Sequence, residues 1–226
     1  NLEEKCTMPK FIKHNTDIHH DIRKENEDYN NEWIANNKLI GEDIVFADEL
    51  DVSSEVKLDA SPFMVVWLKN IERLCNMFSS EFDYKSFSLL DVGCGSGIST
   101  LFFHQKYDFQ RCDGFDFSSS LIGLANKNKN IINGDGADTT SISFKMADAR
   151  KIKLQDKRYA VFMFNPFGWE TMNQFVSKNI EVLQRNNSVI LYANDVCVGN
   201  LLEYGRMVMR DDFYNLSVIA FGDRKI

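Results

Sequence analysis

Gly93, Gly95 and Gly97 follow directly on the apolar run Ser88–Val92, which carries one acid, Asp91, just before its end. The residues after them, from Ile98, have a helical pattern. A buried strand that breaks into a glycine turn and restarts as a helix offers free backbone amides and a positive dipole end to an anionic or polar ligand. The glycines permit positive φ and let a ligand approach the backbone closely. A tight turn with no ligand is the plainer alternative. Four further polar groups lie at or just after the ends of expected strands: Asp116, Asp148, Asn165-Pro166 and Asn194-Asp195. In an open α/β sheet, residues at the carboxyl ends of the strands border the ligand crevice.

Elements able to position these groups are legible in the hydrophobic pattern. Strands are expected at 88–92, 114–117, 142–146, 159–165, 188–193, 206–210 and 216–221. Helices are expected at 98–107, 119–129, 170–184 and 199–204, with a polar loop at 130–140. Alternating strands and helices imply a parallel sheet with right-handed crossovers. The last two strands are joined too closely for a crossover and must be antiparallel. Before this unit, Ile18, Ile22, Tyr29, Trp33 and Ile34 suggest a helix over 17–39 that stops at Gly41. Ser61-Pro62 reads as the cap and first turn of a second helix, with Phe63, Val66, Trp67, Ile71, Leu74 and Phe78 on one face. The organisation expected is a helical extension over 1–80 and an α/β domain over 81–226, doubly wound on a mostly parallel seven-stranded sheet.

The 226 residues can bury about 70% of their unfolded surface without staples. A net charge of -7 is unpromising for non-specific nucleic-acid binding, which depends on phosphate neutralisation. No apolar run approaches the ~20 residues of a membrane span. The five cysteines are odd in number and scattered, which argues against a disulfide framework and for a cytoplasmic location. His14, His19, His20 and Asp17 match no strong ligand spacing, and no metal is expected.

Two nucleotide-type motifs compete at the glycines. The dinucleotide fingerprint G-x-G-x-x-G would need glycine where the chain has Ile98. The G-x-G-x-G spacing after Asp91 instead resembles the first motif of class I S-adenosylmethionine-dependent methyltransferases, and the resemblance runs through residues 88–221. It implies a Rossmann-like methyltransferase fold, S-adenosyl-L-methionine as cofactor and S-adenosyl-L-homocysteine as product. By the same resemblance Asp91, Gly93, Cys94, Gly95 and Gly97 form the cofactor loop, and Asp116 takes the ribose hydroxyls with Phe117 beside the adenine. Asp148 would accept the adenine amino group, with the backbone and apolar atoms near Ala149 completing recognition. A cap or salt bridge for Asp116 and a solvated loop for Asp148 remain the alternatives.

After the fourth strand the chain reads Phe164-Asn165-Pro166-Phe167-Gly168-Trp169. It is similar to the N-P-P-Y or D-P-P-Y motif of methyltransferases acting on nitrogen, but has one proline. Aligned one way, Asn165 and Pro166 position the acceptor; aligned the other, Phe164 takes the polar place. Phe167 and Trp169 either contact the substrate or pack. Asp195 is either a base for a hydroxyl acceptor or a helix cap, and Tyr29 either lines the acceptor pocket or anchors its helix. The resemblance thus implies an enzyme acting on an amino or hydroxyl group, with the acidic charge tilting the acceptor toward a small metabolite or saccharide. A methyltransferase-like binding module or scaffold is the alternative, and oligomeric state is not legible.

Overall fold

The computed structural model describes residues 16–41 and 64–222. Seven strands form one sheet of order β3-β2-β1-β4-β5-β7-β6, comprising β1 (Ser88–Val92), β2 (Cys112–Asp116), β3 (Ile142–Met146), β4 (Tyr159–Phe164), β5 (Val189–Ala193), β6 (Arg206–Asp211) and β7 (Leu216–Ala220). β1 to β5 pair in parallel, while β7 runs antiparallel to both β5 and β6. Both faces of the sheet are covered, which is why β1 and β5 are buried along their whole length rather than in alternation.

On one face lie α1 (Thr16–Asn36), α2 (Leu68–Ser79), α3 (Ile98–Lys106) and α4 (Ser119–Gly134), whose apolar residues share a core with Leu89, Phe162, Leu191 and Val218. On the other lie α5 (Trp169–Arg185) and α6 (Val198–Leu201), packed on Leu90, Val161, Ile190 and Ile219. The first core is rich in aromatic pairs: Phe78 lies 5.0 Å from Phe87 and Phe103 lies 5.0 Å from Phe162, both edge to face. Such pairs add about 0.5–1.5 kcal/mol beyond the area they bury. α2 thereby lies against β5 and β7 as part of the same layer as α3 and α4.

Several boundaries depart from expectation. α1 does not run to Gly41. It ends at Asn36, where Lys38 turns left-handed (φ 56), with Leu39 N–H donating to the Ile34 carbonyl and Lys38 N–H to the Ala35 carbonyl. That is a Schellman stop with lysine in the place glycine usually takes. The Ser61-Pro62 cap falls outside the described residues. The second helix begins at Leu68, so Val66 and Trp67 precede it rather than lie on its face. Its first N–H is satisfied from another helix, Leu68 N donating to Asn30 Oδ1 at 2.9 Å. The loop expected at 130–140 is half helix: Leu121, Ile122, Ala125, Asn128 and Ile132 form one buried stripe, and Asn-rich composition hides it. β2 starts two residues early, at Cys112, because Asp113 is paired with Arg111 and tolerated at half burial.

Candidate active site

Strand order reverses between β1 and β4, and there the carboxyl ends of the two strands open a cleft of about 310 Å³, solvent included. Gly93, Cys94 and Ser96 of the glycine loop line it together with the apolar Val66, Phe162 and Phe164 and the buried Asp91. The glycine loop folds back over β2. Gly93 and Cys94 both donate to the Phe115 carbonyl, at 2.9 and 3.0 Å, and Gly97 donates to the Cys94 carbonyl at 2.9 Å. All three glycines have positive φ (75, 52 and 78), where a side chain would be strained.

Two close approaches explain why this loop tolerates no side chains at particular points. A Cβ on Gly93 would come 2.5 Å from the Pro166 Cβ, so the proline after β4 rests directly on the loop after β1. A Cβ on Gly114, inside β2, would come 2.8 Å from the Cys94 Cβ and 2.9 Å from its sulfur. Cys94 is therefore a small filler of the space that Gly114 leaves, and burial pushes its thiol well above the ordinary range.

Asp116, at the end of β2, closes the loop. Its Oδ2 accepts from Gly95 N–H at 3.0 Å and its Oδ1 from Ser118 N–H at 2.9 Å. Helix capping falls to Ser118, whose hydroxyl accepts from Leu121 N–H. Below the loop, Asp91 is 1% exposed and accepts from the Ser99 and Thr100 hydroxyls at 2.5 and 2.6 Å. Burial pushes its carboxyl up to about 6, the two hydroxyls pull it back, and the Asp116 charge adds to the rise. Phe117 is half-buried beside Asp116.

The remaining expected residues divide. Asp148 caps the short turn Ala149–Lys151 and is held by Arg150, whose Nη2 donates to Oδ2 at 2.8 Å; that hydrogen bond keeps the carboxyl below its usual range. Ala149 is buried in the second core. Asn165 corrects the extended backbone that a following proline suggests: its φ is 40, a left-handed conformation that asparagine tolerates better than most residues. This turn is what swings Pro166 over Gly93. The Tyr192 hydroxyl, buried within the sheet, donates to Asn165 Oδ1 at 3.4 Å.

Asp195 follows the left-handed Asn194 (φ 53) and is not a helix cap, since α6 is entered through Cys197 without a side-chain cap. Its carboxylate accepts from Arg210 Nε at 3.1 Å and from the Ser217 hydroxyl, which binds β6 and β7 to the end of β5. The turn between those strands thereby stands at the same carboxyl edge, with the Arg73 guanidinium of α2 stacked 3.7 Å over Tyr214. Phe167 is buried in the second core, and Trp169 opens α5 with its ring 6.4 Å from Tyr204.

Tyr29 is not brought to the cleft. Its hydroxyl donates to Glu72 Oε1 at 2.7 Å and accepts from Lys106, the last residue of α3, which lies ~12 Å along the helix from Ile98. Sequence reasoning missed Ser99 and Thr100 under Asp91, the apolar wall of Val66, Phe162 and Phe164, and Gly114. Only the last had a signal, a glycine inside a strand, which marks a close approach.

The donor set fits a nucleoside-bearing cofactor: a buried carboxylate at the end of β2, a loop with three positive-φ glycines, and an apolar lining. Residues 89–186 match the family model described as a methyltransferase domain. No curated protein matches the chain. Among solved structures, the chain is similar to a ribosomal protein L11 methylase from Lactobacillus delbrueckii subsp. bulgaricus, with 12% identity, TM-score 0.48, and 67% of this chain and 77% of that one covered. It is also similar to magnesium protoporphyrin IX methyltransferase from Synechocystis PCC 6803 with bound SAM (12% identity, TM-score 0.45, 68% and 77% covered). A third is an amino pentose methyltransferase from Micromonospora echinaspora (19% identity, TM-score 0.41, 55% of this chain covered), of which the chain spans 49%. The matched segment is similar to a methyltransferase domain, and the sheet order, glycine loop and antiparallel last strand are those of the Rossmann-like methyltransferase fold.

Proposed function

We infer that the chain transfers a methyl group from S-adenosylmethionine to an amino or hydroxyl group of a small metabolite or saccharide. The observation that carries this reading is the glycine loop closed by Asp116 at the reversal point of the sheet. Asp116, which orders the loop by accepting from Gly95 and Ser118 N–H, would also accept the two ribose hydroxyls. Phe117 and the turn at Asp148–Ala149 would flank the adenine, with Arg150 holding the Asp148 carboxylate in place.

The cofactor supplies an activated methyl on a sulfonium. The chain is left with binding, orienting the acceptor in line, and excluding water. Asn165 and Pro166 are the residues assigned to the acceptor: the left-handed turn brings them against the loop, and the asparagine amide can hold an amino or hydroxyl group. The ion pair and hydroxyl already engaging Asp195 favour a positioning role, holding the β6–β7 turn at the acceptor side, over service as a base. The segment before α2, with Val66 in the cleft wall, supports the N-terminal helices as part of the acceptor wall.

Calorimetric titration with S-adenosylhomocysteine and with NAD tests the cofactor, and labelled methyl donor offered to fractionated cell extract tests transfer. Preference for NAD would refute the reading. Tight S-adenosylhomocysteine binding without label in protein, RNA or metabolite fractions would leave the binding-module alternative.

A further inference from the structure

Two buried asparagines tie the N-terminal segment to two separate parts of the chain that line the cleft. Within α1, the Nδ2 of Asn30 donates to the Val66 carbonyl and its Oδ1 accepts from Leu68 N–H, both at 2.9 Å. Val66 lines the cleft. Past the left-handed turn at Lys38 the chain reaches Asn128 of α4, which is fully buried. Ile40 N–H donates to Asn128 Oδ1 at 2.8 Å, and Asn128 Nδ2 donates both to the Ile40 carbonyl and to the Ser96 carbonyl, each at 3.1 Å. Ser96 belongs to the glycine loop and lines the same cleft. One planar amide therefore holds the backbone of the N-terminal segment and that of the loop together. A shift of the Ser96 carbonyl must carry the amide with it or strand a buried donor.

We propose that Asn30 and Asn128 are positioning residues that make α1 and its exit a brace between the Val66 segment and the glycine loop, so that cofactor binding in the loop and docking of residues 37–41 are coupled. The proposal rests on the reading of the loop as the cofactor site. A ligand that favours one arrangement of Ser96 strengthens the attachment of Ile40 by the same factor by which that attachment strengthens ligand binding. The other contacts of α1 lie away from the cleft. Tyr29 with Glu72 and Lys106, and Trp33 edge-on against Phe102 at 5.2 Å, keep the helix docked when an amide link is removed.

Hydrogen exchange on the full chain, with and without saturating S-adenosylhomocysteine, tests the brace. Exchange across residues 37–41 should slow at least fivefold with the ligand, and by more than any change across the β6–β7 hairpin. Asn128→Asp keeps the acceptor for Ile40 N–H but loses the donor to both the Ile40 and the Ser96 carbonyls. It should raise the S-adenosylhomocysteine dissociation constant at least fivefold and abolish the ligand effect at 37–41. Asn30→Asp, which sets a carboxylate oxygen against the Val66 carbonyl, should weaken binding through the Val66 segment. A merely structural asparagine would lower the thermal midpoint but leave the ligand-induced protection in place. Calorimetric binding to the wild type with no change at 37–41 overturns the brace while the cofactor reading stands. No binding at all overturns both, and if either variant fails to fold, the wild-type exchange decides.

Discussion

Replacing Asp91 by Asn removes a charge from beneath the glycine loop, and the effect can be worked from its surroundings. The carboxyl is 1% exposed and rises from 3.8 to about 6, chiefly through burial. A carboxyl whose affinity for protons is raised on folding stabilises the fold while protonated. That contribution is complete below about pH 4 and is lost as pH rises through about 6. A rise of about two units is worth about 3 kcal/mol in full, of which roughly 2 kcal/mol falls between pH 4.5 and 7.5. Asn keeps an acceptor for Ser99 or Thr100 but has no proton to lose, so the variant lacks this slope. Urea unfolding of both chains across that range measures it, because all other titrating groups cancel in the difference. With an m-value of about 2 kcal/mol/M, the midpoint of the variant should gain about 1 M on the wild type from acid to neutral pH. Midpoints that stay parallel would show that Asp91 titrates as an ordinary carboxylate and would sink the account.

Gly114→Ala should cost about 1–3 kcal/mol through overpacking against Cys94, and adding Cys94→Gly should recover part of it, seen as a coupling in a double-mutant thermal cycle. Asp116→Ala loses the Gly95 and Ser118 contacts along with any ribose hydrogen bonds, and should weaken S-adenosylhomocysteine binding at least tenfold by calorimetry; unchanged affinity in a folded variant removes the ribose assignment. Asn165→Gly keeps the left-handed turn and should retain stability, yet cut methyl transfer strongly with cofactor affinity within about threefold. Equal transfer rates in this variant and the wild type would leave Asn165 with a turn-forming role alone.

Much of the architecture was legible because it is written in local pattern. The run Ser88–Val92 before Gly93 announced a buried strand and a ligand-side turn, and the short spacing of the last two strands required them to be antiparallel, as β6 and β7 are. What failed locally failed where a distant residue intervenes. α2 begins at Leu68 because Asn30, 38 positions earlier, satisfies its N–H. α4 outlasts its polar composition because Asn128 and Ile132 continue its buried stripe.

The same division holds at the candidate site. Residue type and spacing singled out Asp91 and the three glycines, and the family resemblance they carry added Asp116 and Asn165, since strand ends and glycine turns leave a one-dimensional trace. Only the tertiary structure decided what each of them faces. Pro166 rests on Gly93, Gly114 makes room for Cys94, and Asp195 turns inward to Arg210 and Ser217. Tyr29 is carried to the far end of α3. Backbone periodicity fixes which element a side chain belongs to, whereas its partners are set by close packing of elements far apart in the chain, and no local signal records that.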